Sequence, residues 1–95
     1  MIEYYAHVME TVDGEIVVDF AIVCDDFILR YATDKPPVEL YGNVRTGFLA
    51  SLQSIPNFYT EIEFDYDADF EFDFDTQCKI AEAYYKASGK QQARN

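Results

Sequence analysis

The chain has no Trp, one His, two Cys, three Pro, four Gly and only seven Lys and Arg in 95 residues. Each shortage excludes something. Cys24 and Cys78 lie far apart with no CxxC spacing, so two reduced, mostly buried thiols are expected and not a disulfide framework. No zinc pattern and no Gly-rich phosphate loop is present. Seven basic residues against eighteen Asp and Glu leave a formal net charge of -11. A field of that sign repels nucleic acid and anionic membrane, which disfavours direct binding to either and favours basic partners. No apolar run approaches the ~20 residues that span a bilayer. Met1-Ile2-Glu3 lacks the basic start and apolar stretch of a signal peptide; a cytoplasmic protein is expected.

What is present is enough for one core. Apolar residues make up 49% of the chain, with eight Tyr and eight Phe, a composition that folds and does not stay disordered. The expectation is a single acidic α+β domain over residues 1–88, with 89–95 a frayed C-terminal tail. Its parts are an antiparallel β-sheet, built from an N-terminal hairpin plus an acidic strand pair, and two helices.

Residues 2–23 read as the hairpin. Ile2, Tyr4, Ala6 and Val8 alternate with Glu3, Tyr5, His7 and Met9, and Ile16, Val18, Phe20 and Ile22 alternate with Val17, Asp19 and Ala21. A two-residue loop would put the two apolar faces on opposite sides of the sheet. A three-residue loop, Val12-Asp13-Gly14 with Gly14 left-handed, keeps them together. That register sets Tyr4 opposite Ile22, Ala6 opposite Phe20 and His7 opposite Asp19. Phe27 to Thr33 follows as a short third strand. A helix is predicted from about Pro37 to Gln53, with Tyr41, Val44, Phe48 and Leu52 on one face and Pro56 closing the element. The last helix is predicted from Thr76 to about Ser88. Asp75 or Thr76 caps it, Ile80, Ala81 and Tyr84 face the core, and Gly89 stops it.

Between these helices the pattern is strictly two-fold. Phe58, Thr60, Ile62, Phe64, Tyr66, Ala68, Phe70, Phe72 and Phe74 alternate with Glu61, Glu63, Asp65, Asp67, Asp69, Glu71, Asp73 and Asp75, and no basic residue stands between Arg45 and Lys79. A strand spaces same-face side chains ~6.6–6.8 Å apart. Successive phosphates on one DNA strand lie roughly 6–7 Å apart in a straight line. A carboxylate row on a strand can therefore resemble a phosphate row. Residues 58–75 fully extended would span ~60 Å at ~3.3 Å per residue, too long for a domain about 30–35 Å across. A bend, or a hairpin with the loop Asp67-Ala68-Asp69, is expected. The plainer alternative is a solvated face that keeps a small protein soluble. Such faces usually mix charges, and eight acids of one sign repel one another.

Other sites are weaker. Asp65-x-Asp67-x-Asp69 starts like a calcium loop, but Phe70 stands where Gly is needed and Thr76 where Glu is needed. No cofactor or metal is expected. His7 opposite Asp19 reads as a cross-strand ion pair. No elbow motif supplies a nucleophile beside it, and nothing singles out one acid of the row as a glycosidase carboxylate, so the chain is not expected to be an enzyme.

The partner-binding residues are thus Glu61, Glu63, Asp65, Asp67, Asp69, Glu71, Asp73 and Asp75. Three readings use them: a DNA mimic that blocks the DNA-binding groove of a restriction nuclease, CRISPR complex or nucleoid protein; an immunity or antitoxin protein that neutralises a basic nuclease; and an acidic adaptor for a basic protein. In size, acidity and its single-sign row the chain resembles phage-encoded DNA-mimic anti-restriction proteins, the small Arn-type proteins that target the McrBC endonuclease among them. The resemblance is carried by the eight acids and the overall charge. It implies inhibition by charge mimicry, and a homodimer that lengthens the charged surface, with Phe58, Ile62 or Phe70 as its apolar contact.

Overall fold

The computed structural model describes residues 1–54, 58–65, 67 and 69–89. Pro56, Tyr66, Ala68 and most of the expected C-terminal tail lie outside the described residues.

The hairpin forms as its parity requires. Strands β1 (Glu3–Glu10) and β2 (Ile16–Val23) pair antiparallel with Tyr4 opposite Ile22, Ala6 opposite Phe20 and His7 opposite Asp19. Thr11 N donates to Glu15 O at 2.9 Å, closing the loop around Val12-Asp13-Gly14. Gly14 sits at φ 85°, a conformation open to glycine at little cost.

Strand β3 (Ile28–Ala32) adds to β2, and β4 (Lys35–Leu40) adds to β3. The strand β4 corrects the helix start expected at Pro37. Pro36 and Pro37 fall where the register shifts between the Arg30–Val38 and Ala32–Lys35 pairs. A bulge on an outermost strand is one of the few places in a sheet that tolerates residues without an N–H. After Tyr41, Gly42, at φ 56°, opens helix α1 (Gly42–Ser54). The inward stripe of α1 is also rotated from the expected one. Phe48, Leu49 and Leu52 pack on the sheet, while Tyr41 and Val44 are exposed. Arg45 takes the inward position in the first half of the helix, where its Nη2 donates to Cys24 O at 2.6 Å.

The acidic strand pair is replaced by one three-residue strand, β5 (Thr60–Ile62), on the outer side of β1, followed by an irregular segment. The sheet order is β4-β3-β2-β1-β5, with every pairing antiparallel. The C-terminal helix α2 (Phe74–Ser88) starts two residues earlier than expected. Its N-cap is Asp73, and Gly89 ends it at φ 72°. The α+β class, with an antiparallel sheet and two helices, is as the sequence implied.

The sheet is covered on both faces. On one, Ala6, Val8, Val18, Phe20 and Ile22 meet Ile80, Ala81 and Tyr84 of α2, with Phe64, Phe70 and Phe72 packed beside them. On the other, Ala21, Val23 and Ile28 meet Leu52 and Tyr59, with Phe48 and Leu49 alongside. No helix among the described residues is long and apolar enough to cross a membrane.

Candidate functional site

The acidic segment keeps its alternation without staying a strand. Phe64 and Phe70 both pack on Phe20, at ring-centroid distances of 5.2 and 6.0 Å, and lie 5.9 Å from each other. Phe72 lies 5.4 Å from Tyr31. Phe64, Phe70 and Phe72 are thereby drawn onto the sheet face, and the odd-numbered acids are left outside. Glu61, Glu63, Asp65, Asp67, Asp69, Glu71, Asp73 and Asp75 are all exposed.

The chain reverses within this segment. Asp67 Oδ1 accepts from Asp69 N at 2.9 Å, and Asp67 O accepts from Phe70 N at 3.2 Å. A side chain bonded to the backbone two residues on is the usual device of such turns. The molecule is 41 Å in its longest dimension, too short for the ~60 Å that residues 58–75 would need fully extended. Asp67, Asp69 and Phe70 form a turn at the expected place, though Ala68 of the expected loop lies outside the described residues, and among the described residues no ladder joins the two limbs. The reason is that the rings of both limbs lie down on a sheet face that is already formed.

The two limbs border an open groove of about 690 Å³. Glu63, Asp65 and Asp67 line it from one limb and Asp69, Glu71 and Asp73 from the other, with Phe64 and Phe70 between them. Lys79 of α2 is the single cation in its lining among the described residues. A second groove of about 750 Å³ continues from it through Glu63, Lys79 and Ala83 toward Glu82 and Lys86. Of the eight expected acids, Glu61 and Asp75 stand outside the first groove. Glu61 lies on β5 opposite Tyr5. Burial, reinforced by the charges of Glu3 and Glu61, pushes the Tyr5 hydroxyl up to about 12.

Several acids also shape the fold. Asp67 holds the turn. Asp73 Oδ1 accepts from Thr76 N at 2.9 Å, and this bond to the backbone amide holds the Asp73 carboxyl below the usual carboxylate range. Asp75 lies in the first turn of α2, where the helix dipole favours a negative charge. The far end of the segment is pinned by Gln77. Its Nε2 donates to Phe72 O at 3.2 Å, and its Oε1 accepts from Thr33 Oγ1 at 3.0 Å.

The expected His7–Asp19 ion pair does not form, although the two residues are register partners. Asp19 is committed elsewhere: Arg30 Nε and Nη2 donate to it at 3.2 and 2.9 Å, and Tyr59 OH donates at 2.7 Å. Those bonds raise the pKa of Arg30 further, and its guanidinium lies 5.0 Å over the Phe48 ring. The His7 ring stacks on Phe58 at 4.4 Å, and its buried Nδ1 has no hydrogen-bond partner among the described residues. Of the three residues expected to make a homodimer contact, Ile62 is 5% exposed and Phe70 packs against the core, while Phe58 stacks on His7 and stays 43% exposed. Cys24 and Cys78 are free thiols, both half-buried. Among the described residues no three His, Cys, Asp or Glu side chains are grouped to hold a metal ion.

Sequence reasoning missed Lys79 and the exposed Phe74. The signal for Lys79 was its place four residues after Asp75 on a helix. The signal for Phe74 was the change of period from two to 3.6 at the helix start, which ends the inward alternation. Comparison with protein-family models, curated proteins and solved structures finds no match for this chain.

Proposed function

We propose that this protein is an inhibitor that presents its carboxylates to the DNA-binding surface of a basic nucleic-acid-binding protein and blocks it. The observation that carries this reading is the placement of the acids. All eight are exposed, and six of them border one groove, three before the turn at Asp67–Phe70 closes and three after it begins. Two rows of anions on either side of a groove are also what a nucleic-acid duplex offers to the proteins that grip it. The -11 net charge supplies long-range attraction to a cationic surface, and binding carried this way weakens as salt rises.

A second reading is an acidic adaptor that holds a basic segment of its partner, as an immunity protein or carrier does. The concavity of the groove favours it, because a narrow cationic segment fits a trench better than a broad DNA-binding surface does.

The test is capture from nuclease-treated bacterial lysate at rising salt. One column carries the wild type, and a second carries a variant with all eight acids changed to Asn or Gln. Under mimicry the wild type alone retains a DNA-binding protein, and added duplex DNA displaces it. Retention that duplex DNA does not disturb points to the adaptor. Equal retention by both columns, or none by either, removes both readings.

A further inference from the structure

Of the even-numbered aromatic row, Phe64, Phe70 and Phe72 pack on the sheet and Phe58 stacks on His7, but Phe74 is 72% exposed. It is the most exposed aromatic ring among the described residues. It stands between Asp73 and Asp75, next to the acids that border the groove. Its backbone is fixed in the first turn of α2 by two hydrogen bonds, since Asp73 caps the helix through Thr76 N and accepts from Gln77 N through its carbonyl at 2.9 Å.

We propose that Phe74 is the anchor that gives the acidic surface its selectivity, by entering an apolar pocket within the cationic surface of a folded basic protein. The proposal rests on the acidic-surface reading above. Carboxylates alone attract any polycation and do not choose among them. Selectivity in protein interfaces resides in a few aromatic or Arg anchors that fill pockets, ringed by contacts that exclude water. A ring already held on a helix end loses little freedom on docking. The flanking charges decide the kind of occupant. Asp73 and Asp75 repel a second copy of a chain carrying -11, and they attract a surface lined with Lys or Arg.

The experiment compares the wild type, Phe74→Ala, Phe74→Leu and the eight-position neutral variant, each immobilised as the full chain and checked for its fold by circular dichroism. The probes are an oligoarginine peptide and the protein that the wild type retains from nuclease-treated lysate. The expected result is that Phe74→Ala holds oligoarginine as well as the wild type does but binds the retained protein at least about tenfold more weakly. Phe74→Leu recovers most of that loss, and the salt dependence is the same for all three. If Phe74→Ala binds the retained protein as the wild type does, the anchor is refuted while the charge reading stands. If the wild type self-associates in sedimentation and Phe74→Ala does not, the ring docks on a second copy and the proposal falls. If the wild type retains nothing, or the neutral variant retains the same protein, the charge reading and the anchor fall together.

Discussion

The Tyr59 hydroxyl donates a 2.7 Å hydrogen bond to Asp19 Oδ2, the oxygen that also receives Arg30 Nη2 at 2.9 Å. This bond joins the start of the acidic segment to β2 and β3. Burial, and after it the bond to Asp19, raise the Tyr59 pKa well above the usual tyrosine range. A group that holds its proton more tightly when folded stabilises fully below its unfolded pKa, about 10 for tyrosine, and loses that stabilisation as pH rises toward the folded value. Tyr59→Phe should therefore cost about 1–2 kcal/mol at neutral pH and flatten part of the alkaline loss. The rest of that loss comes from groups such as Tyr5. Urea unfolding of both proteins at neutral and alkaline pH checks this. Identical alkaline losses would show that the Tyr59–Asp19 bond is not formed.

His7 predicts the opposite sign. Its ring is stacked on Phe58, yet its buried Nδ1 has no partner among the described residues, and an unpaired buried polar atom costs free energy. His7→Phe keeps a flat ring in the aromatic cluster and removes that atom. It should raise stability by about 1 kcal/mol, a gain of roughly 4–8 °C in a domain of this size. A lower melting temperature in calorimetry would mean that the imidazole makes a bond which the free nitrogen hides.

Parity and punctuation made the first hairpin legible. Gly14 and the even apolar residues on both sides admit one register, and that register forms. The β4–α1 boundary was not legible, because Pro36-Pro37 can mark the start of a helix or a bulge on an outer strand, and only pairing to β3 decides between them. The acidic segment shows the same limit from another side. Alternation of Phe64, Phe70 and Phe72 with acids correctly gave which side chains face out. Alternation does not require a partner strand, however, and here the rings lie on an existing sheet face. The groove and Lys79 depend on the turn at Asp67 and on where α2 docks, and no local pattern encodes either.

Phe20 is the residue that makes this docking possible. It is fully buried and meets Tyr4, Tyr31, Phe64 and Phe70. Phe20→Ala should cost about 3–5 kcal/mol, a large part of the stability of a small domain. Before global unfolding, both limbs of the acidic segment should loosen, because their rings share this one anchor. Hydrogen exchange should show faster exchange at Phe64 and Phe70 than in β2. Unchanged protection at those two amides would mean that the segment is held by something other than its rings.

Acid titration separates the local role of Asp73 from the collective charge. The Asp73 pKa is lowered in the folded state, first by the bond from the Thr76 backbone amide. A lowered folded pKa stabilises fully above the unfolded value, near 3.9 for aspartate, and the gain is lost as pH falls through the folded value. The mutual repulsion of the exposed acids is a separate, collective effect that salt screens. Asp73→Asn keeps a capping side chain but removes its titration. At neutral pH the wild type should melt a few degrees higher than this variant, roughly 2–5 °C. The gap should close as pH falls through the lowered folded value, while added salt should raise both melting temperatures together. A gap that stays constant down to pH 2 would show that Asp73 caps α2 without its charge. A melting temperature insensitive to salt would show that the acids are too far apart to repel, and the groove would then lose its claim to concentrate negative charge.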